Sequence, residues 1–566
     1  GDGGPASSVP ELWGLREFDA FLLVVDDVPW GGAFNPALST LDLNDIERIE
    51  ILRGPAPVMY GATSFVGVIH VIHLAASNES KSVRADIGNY STGGGSVRIA
   101  LPSSETWKHS IAGNFDQQGY RDDRTQFDIG HLLYRAQKTA GEGLLHFDVD
   151  LSFLTQDPAS PHPRAGAVLD PSVPLDANHN PSDAEQDENR YHFVGGYNSN
   201  LFGSQWSIIG AVTHADRDII KGFLSDVSNE ADPNTAGFRQ EVNQTDFYLD
   251  THFALKGPNN SQFVFGADNI FSKGKMNDEN FDYHVNLDGT GAPNSFEPVV
   301  QERPQLEDER NFFGLYGQVD WNLSPRFLVQ GGLRLNITHE KQEGEVLPGD
   351  TGEEPDPDEE PGEEEEGGES EQNHTKLSGV IGASFLAVDS GTNRVWIFGD
   401  YRNTFKPAAV DFGPEAEGDI LDPETAQSYE GGVKGQMGGR FDWQFSVFRM
   451  DFTNLVIGDI RNGLPVLINA GEERFTGVEF EGDVLVYTDL HLNVAYSHHN
   501  PEFRDFIQVF DDVPTQLAGK QLEMSPNDLA AFGVIYSPAA GINGSFILNY
   551  VGDRFLNKRN TALADA

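Results

Sequence analysis

From about residue 82 onward the chain repeats one kind of segment, in which apolar and polar side chains alternate strictly until Gly, Asn, Asp or Pro closes the run. In Leu145, Phe147, Val149, Leu151 and Phe153 every odd position is apolar, and His146, Asp148, Asp150 and Ser152 lie between them. Phe313, Leu315, Val319 and Trp321 alternate with Gly314, Tyr316, Gln318 and Asp320. After Ser324-Pro325, Phe327, Val329, Leu333, Leu335 and Ile337 do the same against Gln330, Arg334, Asn336 and Thr338. A third case follows Gly438-Gly439, with Phe441, Trp443, Phe445 and Val447 against Asp442, Gln444 and Ser446. Each segment is a strand with one greasy face and one wet face.

Two architectures fit such strands: a soluble sandwich or propeller, and a membrane β-barrel. Mean hydropathy is −0.40, and the best apolar run, Phe21 to Val25, is far too short for a spanning helix. Alternating strands average out as hydrophilic, so this value does not exclude a barrel. Many segments exceed the usual five or six residues, and short turns alternate with long polar loops. These features favour the barrel, with Trp107, Trp321, Trp396 and Trp443 near segment ends as interfacial aromatics. About nineteen strands can be counted, against 22 in a large plugged transporter. The chain is thus expected to stop mid-barrel.

The formal charge of −50 excludes a nucleic-acid binder working by phosphate neutralisation, and the lack of Cys excludes a disulfide scaffold, a thiolate metal site and a cysteine nucleophile. Long loops are expected at Gln156 to Glu188, Leu224 to Gly237, Asn277 to Val300, Glu343 to Asn373, Pro407 to Pro423 and His499 to Gly519. Glu343 to Glu371 holds 15 acids and no base, which reads as a disordered spacer rather than a Ca²⁺ site, since it lacks ordered ligand spacing. Phe223, Phe281, Tyr283 and Phe296 are the candidate ligand contacts of these loops, unless they serve to pack the loops together.

Residues 1–78 differ from the rest. Short apolar strands, glycine turns and a small helix are expected there, as a compact α+β piece. Its central stretch is Ile46-Glu47-Arg48-Ile49-Glu50-Ile51-Leu52-Arg53-Gly54-Pro55, followed by Tyr60-Gly61 and Gly67-Val68-Ile69-His70-Val71-Ile72. The alternation predicts a strand buried on one side, ended by a turn that Gly54 permits. This ordered set closely resembles the plug of the TonB-dependent outer-membrane receptors, and Val24-Val25-Asp26-Asp27-Val28-Pro29 resembles a second plug motif. Tyr429-Glu430-Gly431-Gly432, Asp451-Phe452-Thr453-Asn454, Asn469-Ala470-Gly471 and Gly477-Val478-Glu479 resemble the family's later strands, in order.

The resemblance implies a plug over 1–78 inside a transmembrane barrel over 79–566, in a bacterial outer membrane, with both ends of the family pattern missing. It implies that Arg53 meets Glu430 and Glu479 across the plug–barrel boundary, where a purely local pair with Glu50 is the alternative. A second family arginine falls at Trp13-Gly14 here, with Arg16 a substitute. His70 and His73, and His498-His499, stand at spacings compatible with a metal, but a plain exchange of polar residues accounts for them. No metal, cofactor or catalytic group is implied. The implied activity is import of a scarce nutrient, a ferric siderophore by default, driven by TonB with ExbB and ExbD. Cobalamin and small oligosaccharides are alternative cargoes. A passive plugged pore, and a soluble hydrolase using Asp148 and Asp150, are alternative functions.

Overall fold

The computed structural model describes residues 21–61, 63–120, 122, 124–166, 168–227, 232–350, 368–407, 410, 412, 420–461, 464–469, 471–510 and 513–566. Trp13, Gly14, Arg16, Ala470 and residues 351–367 of the acidic run lie outside this set.

Four strands, β1 (Phe21–Val25), β2 (Val28–Pro29), β3 (Ile46–Arg53) and β4 (Gly67–His73), form a small sheet in the order β2-β1-β4-β3. The chain then enters the wall through β5 (Ser82–Ile87), β6 (Gly93–Ala100), β7 (Trp107–Gly119), β8 (Gln126–Ala140) and β9 (Gly143–Asp157). Nineteen strands make up this second sheet, which forms a barrel. The strand count is the expected nineteen, and among the described residues no register pairs the first of them, β5, with the last, Gly544–Val551. Every residue of Gly544–Val551 and all but one of β5 are exposed, as at strand edges.

The alternation resolves into an inside-out molecule. Outward positions are apolar and exposed: Phe147, Phe153, Leu315, Leu333 and Ile381 are between 41% and 61% exposed. Inward positions on the same strands are polar and buried, among them Asp148, Asp150, Ser152, Arg334, Asn336 and Thr338. Each large apolar side chain left in water forfeits about 1.5–3 kcal/mol, so dozens of them would overwhelm a net stability of about 5–15 kcal/mol. A barrel with this face outward matches a hydrocarbon solvent, where every backbone group must be paired internally. The soluble-enzyme reading fails here, and Asp148 and Asp150 serve instead as counter-ions inside the wall.

Connections alternate in length. Residues 141–142, 202–203, 325–326 and 391–392 link strands at one end, whereas 158–184, 284–299, 349–368 and 407–423 do so at the other. Gly141, Gly203 and Gly391 sit in the two-residue turns at φ of 62°, 77° and 64°, a conformation that costs glycine least. Trp107, Trp321 and Trp443 point outward close to the short-turn end, but Trp396 alternates with the exposed Ile397 and faces the lumen.

Several strands rise further than expected. Asn277–Tyr283 belongs to the strand Gln262–Tyr283, and the acidic run is flanked by the strands Phe327–Pro348 and Glu369–Ser390, which pair Glu343 with Glu369. Lys341 lies between these carboxylates, bonded to Glu343 and 3.1 Å from Glu369, and so offsets the repulsion that argued for disorder.

The plug departs from expectation in two respects. Its only described helical element is a 3-10 turn, Leu38–Thr40. Ile49 and Ile51 are 46% and 58% exposed rather than buried, because β3 is the edge of its sheet and no described element covers that face. The apolar core lies instead around β1 and β4 and is shared with the wall. Phe21, Leu23, Phe65 and Val71 pack with Phe448, Met450, Phe452, Phe475 and Phe503, and the Phe65 and Phe452 rings are 5.3 Å apart.

Candidate functional site

The boundary between plug and wall carries the charged chemistry of the molecule. Along β6 to β9, three plug carboxylates meet three wall cations. Asp45 lies 2.5 Å from Arg98, Asp42 lies 2.9 Å from His131, and Asp26 is 3.4 Å from Arg135. Wall carboxylates one strand away complete the set. His131 Nε2 is 2.6 Å from Asp150 and Arg135 Nε donates to Asp148 at 3.1 Å. His131 therefore sits between two carboxylates, one from each domain, with all three side chains nearly sealed from solvent. Charges this buried persist only when paired, so plug and wall neutralise one another.

Within the plug, His73 Nδ1 contacts Asp26 at 2.7 Å. Burial opposes both charges, but the hydrogen bond and the mutual attraction outweigh it, together with Arg135 for Asp26. The Asp26 carboxyl is accordingly held well below its usual range and the His73 imidazole is raised above its own. His70 Nε2 accepts a hydrogen bond from the Asp27 amide at 3.2 Å. His498 is 2.9 Å from Asp528.

On the opposite side, the end of β3 delivers Arg53 to Glu479 at 2.9 Å and to Glu481. Glu50 instead pairs with Arg48, which also holds Glu47. Glu430 lies by this corner, but it pairs with Arg402, at 3.6 Å. Arg402 in turn donates to the carbonyls of Arg53 and Pro55 at 3.1 and 3.2 Å, fixing the turn in which Gly54 has a φ of 77°. This corner is wetter than the other: the side chains of Arg53 and Glu481 are 30% and 49% exposed. Beside it, Tyr60 and Gly61 reach the wall near Arg334, and a Cβ on Gly61 would lie 2.9 Å from the Arg334 guanidinium.

The plug apex runs from Trp30 to Phe34. Gly32, at a φ of 63°, lets the backbone approach Asp246 so closely that a Cβ would overlap the carboxylate. The Ala33 amide donates to Ser272 Oγ and its carbonyl accepts from Arg310 at 2.8 Å. Phe34 packs with Val242, Met276, Leu306 and Val410, and its ring is 5.3 Å from that of Phe412. The lumen at this level is filled by protein.

The four candidate loop aromatics are divided between two faces of the wall. Phe223 is on the luminal face, partly buried and stacked on Phe238 at 6.2 Å. Phe281 and Tyr283 are on the outer face and are buried, 1% and 4% exposed. Gly237 and Gly222 make room for these two rings, and Tyr283 donates to the carbonyl of His179 at 2.6 Å. They hold the long connections together and offer no open surface. Phe296 is 72% exposed, with the Arg239 guanidinium 4.2 Å from its ring.

Sequence reading did not single out Asp42, Asp45, Arg98, His131 or Arg135, and it named Asp26 only as part of a plug motif. The signal was present in part: Arg98, His131 and Arg135 are charged residues on wet strand faces, which need partners inside a closed barrel. Which plug residue each one meets depends on the plug's orientation, and no local pattern encodes that.

Two family models match the chain: the TonB-dependent receptor plug domain over residues 1–68 and the TonB-dependent receptor-like β-barrel over residues 87–565. The ferrioxamine receptor of Yersinia enterocolitica is 24% identical over 151 residues, 26% of this chain and 20% of that protein. The ferric enterobactin receptor of Pseudomonas aeruginosa is 30% identical over 122 residues, 19% of this chain and 16% of that protein. The chain thus matches a fifth or less of the length of these curated relatives. Among solved structures, the ferric yersiniabactin uptake receptor of Yersinia pestis superposes with a TM-score of 0.74 at 16% identity, covering 99% of this chain and 83% of that one. The siderophore receptor PiuA of Acinetobacter baumannii gives 0.76 at 14% identity, covering 100% and 83%. At such identities these likenesses establish the fold. With the barrel model spanning most of the chain, this protein belongs to the TonB-dependent receptors and is a receptor rather than an enzyme.

Proposed function

We propose that this receptor imports a ferric siderophore across the bacterial outer membrane, with TonB, ExbB and ExbD supplying the work. The observation that carries the reading is the attachment of the plug to the wall. The plug is tied to opposite sides of the wall by Asp26, Asp42 and Asp45 and by Arg53, and shares an apolar core with it. A solute cannot pass until these contacts yield, and a series of buried ion pairs does not yield at thermal energy alone. External work on the plug meets that requirement, and a passive pore does not. The apolar outer surface supports a lipid environment, and the short and long connections support periplasmic and external faces respectively. The names of the relatives, all receptors for iron chelates, support the cargo over cobalamin or an oligosaccharide. We place the division of the chain near residue 78, between β4 and β5, and assign Arg53 with Glu479 to plug retention. Glu430 then acts on the same corner through Arg402. Among the four loop aromatics, Phe223 and Phe296 retain surface for a ligand.

The test is conductance and binding by the full-length protein in a planar bilayer and in detergent. Closed channels with saturable binding of a ferric siderophore are expected. Steady open conductance with no chelate bound would overturn the proposal.

A further inference from the structure

Above the plug apex, the luminal face of the wall carries a guanidinium without a counter-ion. Arg190 and Glu188 lie on the strand Glu185–Leu201, and Arg217 on the strand Ser204–Leu224, where it is the register partner of Glu188. Glu188 is committed to Arg190, whose Nε and Nη2 both donate to the same carboxylate oxygen at 3.2 and 2.7 Å. Arg190 is 2% exposed, and its Nη1 has no acceptor. Arg217 makes no hydrogen bond or ion pair among the described residues, and its Nε is shielded from solvent and unpaired. Its charged surroundings are Glu188, which attracts it, and Arg190, which repels it. Asp246 accepts from the hydroxyl of Ser272 and lies against Gly32 of the plug. Arg190 also lies in the field of Asp246, so Arg217 is the one left with no carboxylate but Glu188, which is already bonded to Arg190. Beneath them, the Trp30 ring lies 5.5 Å from the Arg190 guanidinium and 4.9 Å from His192.

A buried cation without a partner is costly, because a removed hydration shell must be replaced by charge or by acceptors. Here the donors that lack acceptors belong to neighbouring planar forks, which suit bidentate capture of an oxyanion. Arg217 is half-buried on the luminal side of its strand, whereas Arg190 is 2% exposed. The chain carries a formal charge of −50, so a local cationic site is what an anionic ligand would need in order to settle.

We propose that Arg217 is a receptor for an oxyanion of the cargo, so that the protein selects anionic over neutral ferric chelates. This rests on the siderophore reading above. Anion charge replaces the missing counter-ion at Arg217, whose neighbour Arg190 lies over the Trp30 ring of the plug apex.

The test uses the full-length protein in detergent, with an anionic ferric tris-catecholate, a neutral ferric tris-hydroxamate and inorganic phosphate as probes. Arg217→Gln is expected to weaken tris-catecholate binding at least tenfold and to leave any tris-hydroxamate binding unchanged, while Arg217→Lys retains most of the affinity. Glu188→Gln, which removes the competing carboxylate, is expected to tighten tris-catecholate binding, a gain that misfolding cannot mimic. Equal losses for both chelates in Arg217→Gln, or no loss for either, would overturn the inference. If neither chelate binds the wild type but phosphate binds it at least tenfold more tightly than Arg217→Gln, the oxyanion site stands and the siderophore reading falls. If phosphate does not discriminate either, the site falls as well.

Discussion

Replacing His131 by Gln should loosen the plug more than any change at the Arg53 corner. His131 is held between Asp42 of the plug at 2.9 Å and Asp150 of the wall at 2.6 Å, with side-chain exposures of 2%, 6% and 6%. At an effective dielectric constant of about 20, each contact between unit charges at these distances is worth about 6 kcal/mol before desolvation. Desolvation cancels much of this in the intact triad. It does not do so after truncation, because two carboxylates are then left buried beside a neutral amide, and breaking a buried pair costs about 3–5 kcal/mol. The readout exploits the absence of Cys from the chain: with Val71→Cys in the plug core, thiol labelling as a function of urea reports plug release while the barrel stays folded. The expected result is a destabilisation of about 3–5 kcal/mol for His131→Gln, with Asp42→Asn in the same background adding much less than it does alone. A midpoint within experimental error of the parent, or strict additivity of the two substitutions, would refute the reasoning.

Three further outcomes follow from the same geometry. Arg53→Ala should cost less than His131→Gln in that assay, because Arg53 is 30% exposed and its contact with Glu481 is solvent-screened, leaving Glu479 as the better buried partner, and the effect should shrink in high salt. Plug stability should depend on pH through His73 and Asp26. His73 binds its proton more tightly in the folded state, so its contribution is complete below its ordinary value of 6.5 and lost as pH rises through the elevated one. Asp26 is depressed, so its contribution is present above 3.8 and lost as pH falls through the lowered value. Labelling midpoints should therefore fall on the alkaline side, and His73→Gln should remove that slope. Finally, Arg124 donates to the carbonyls of Asn178, Asn180, Pro181 and Gly289 across two long connections. Arg124→Ala should raise amide hydrogen exchange in residues 178–181 and 286–290 while leaving the wall strands protected.

Much of the fold was legible because a barrel wall obeys a local rule. Which face of Gly143–Asp157 is greasy follows from the alternation, and so does the strand count. The plug strand Ile46–Arg53 was readable as a strand but not as an edge, so Ile49 and Ile51 were assigned the wrong environment. The acidic run misled at its margins, where composition argued for disorder but cross-strand pairing and Lys341 keep Glu343 and Glu369 in the sheet. Phe281 and Tyr283 illustrate a third limit: loop aromatics look alike in sequence, and only the glycines opposite them, Gly222 and Gly237, reveal rings packed into the wall. Arg53 was legible through its motif, whereas the Asp42–His131–Asp150 bridge joins residues far apart in the chain.

The central claim is that a lumen closed by the plug opens only under external work to admit a ferric chelate. Its most direct test is uptake of ⁵⁵Fe-labelled ferric siderophore by cells carrying this receptor in place of their own, with TonB present or deleted. The account predicts accumulation with TonB and none above background without it. Equal accumulation in both strains would contradict it.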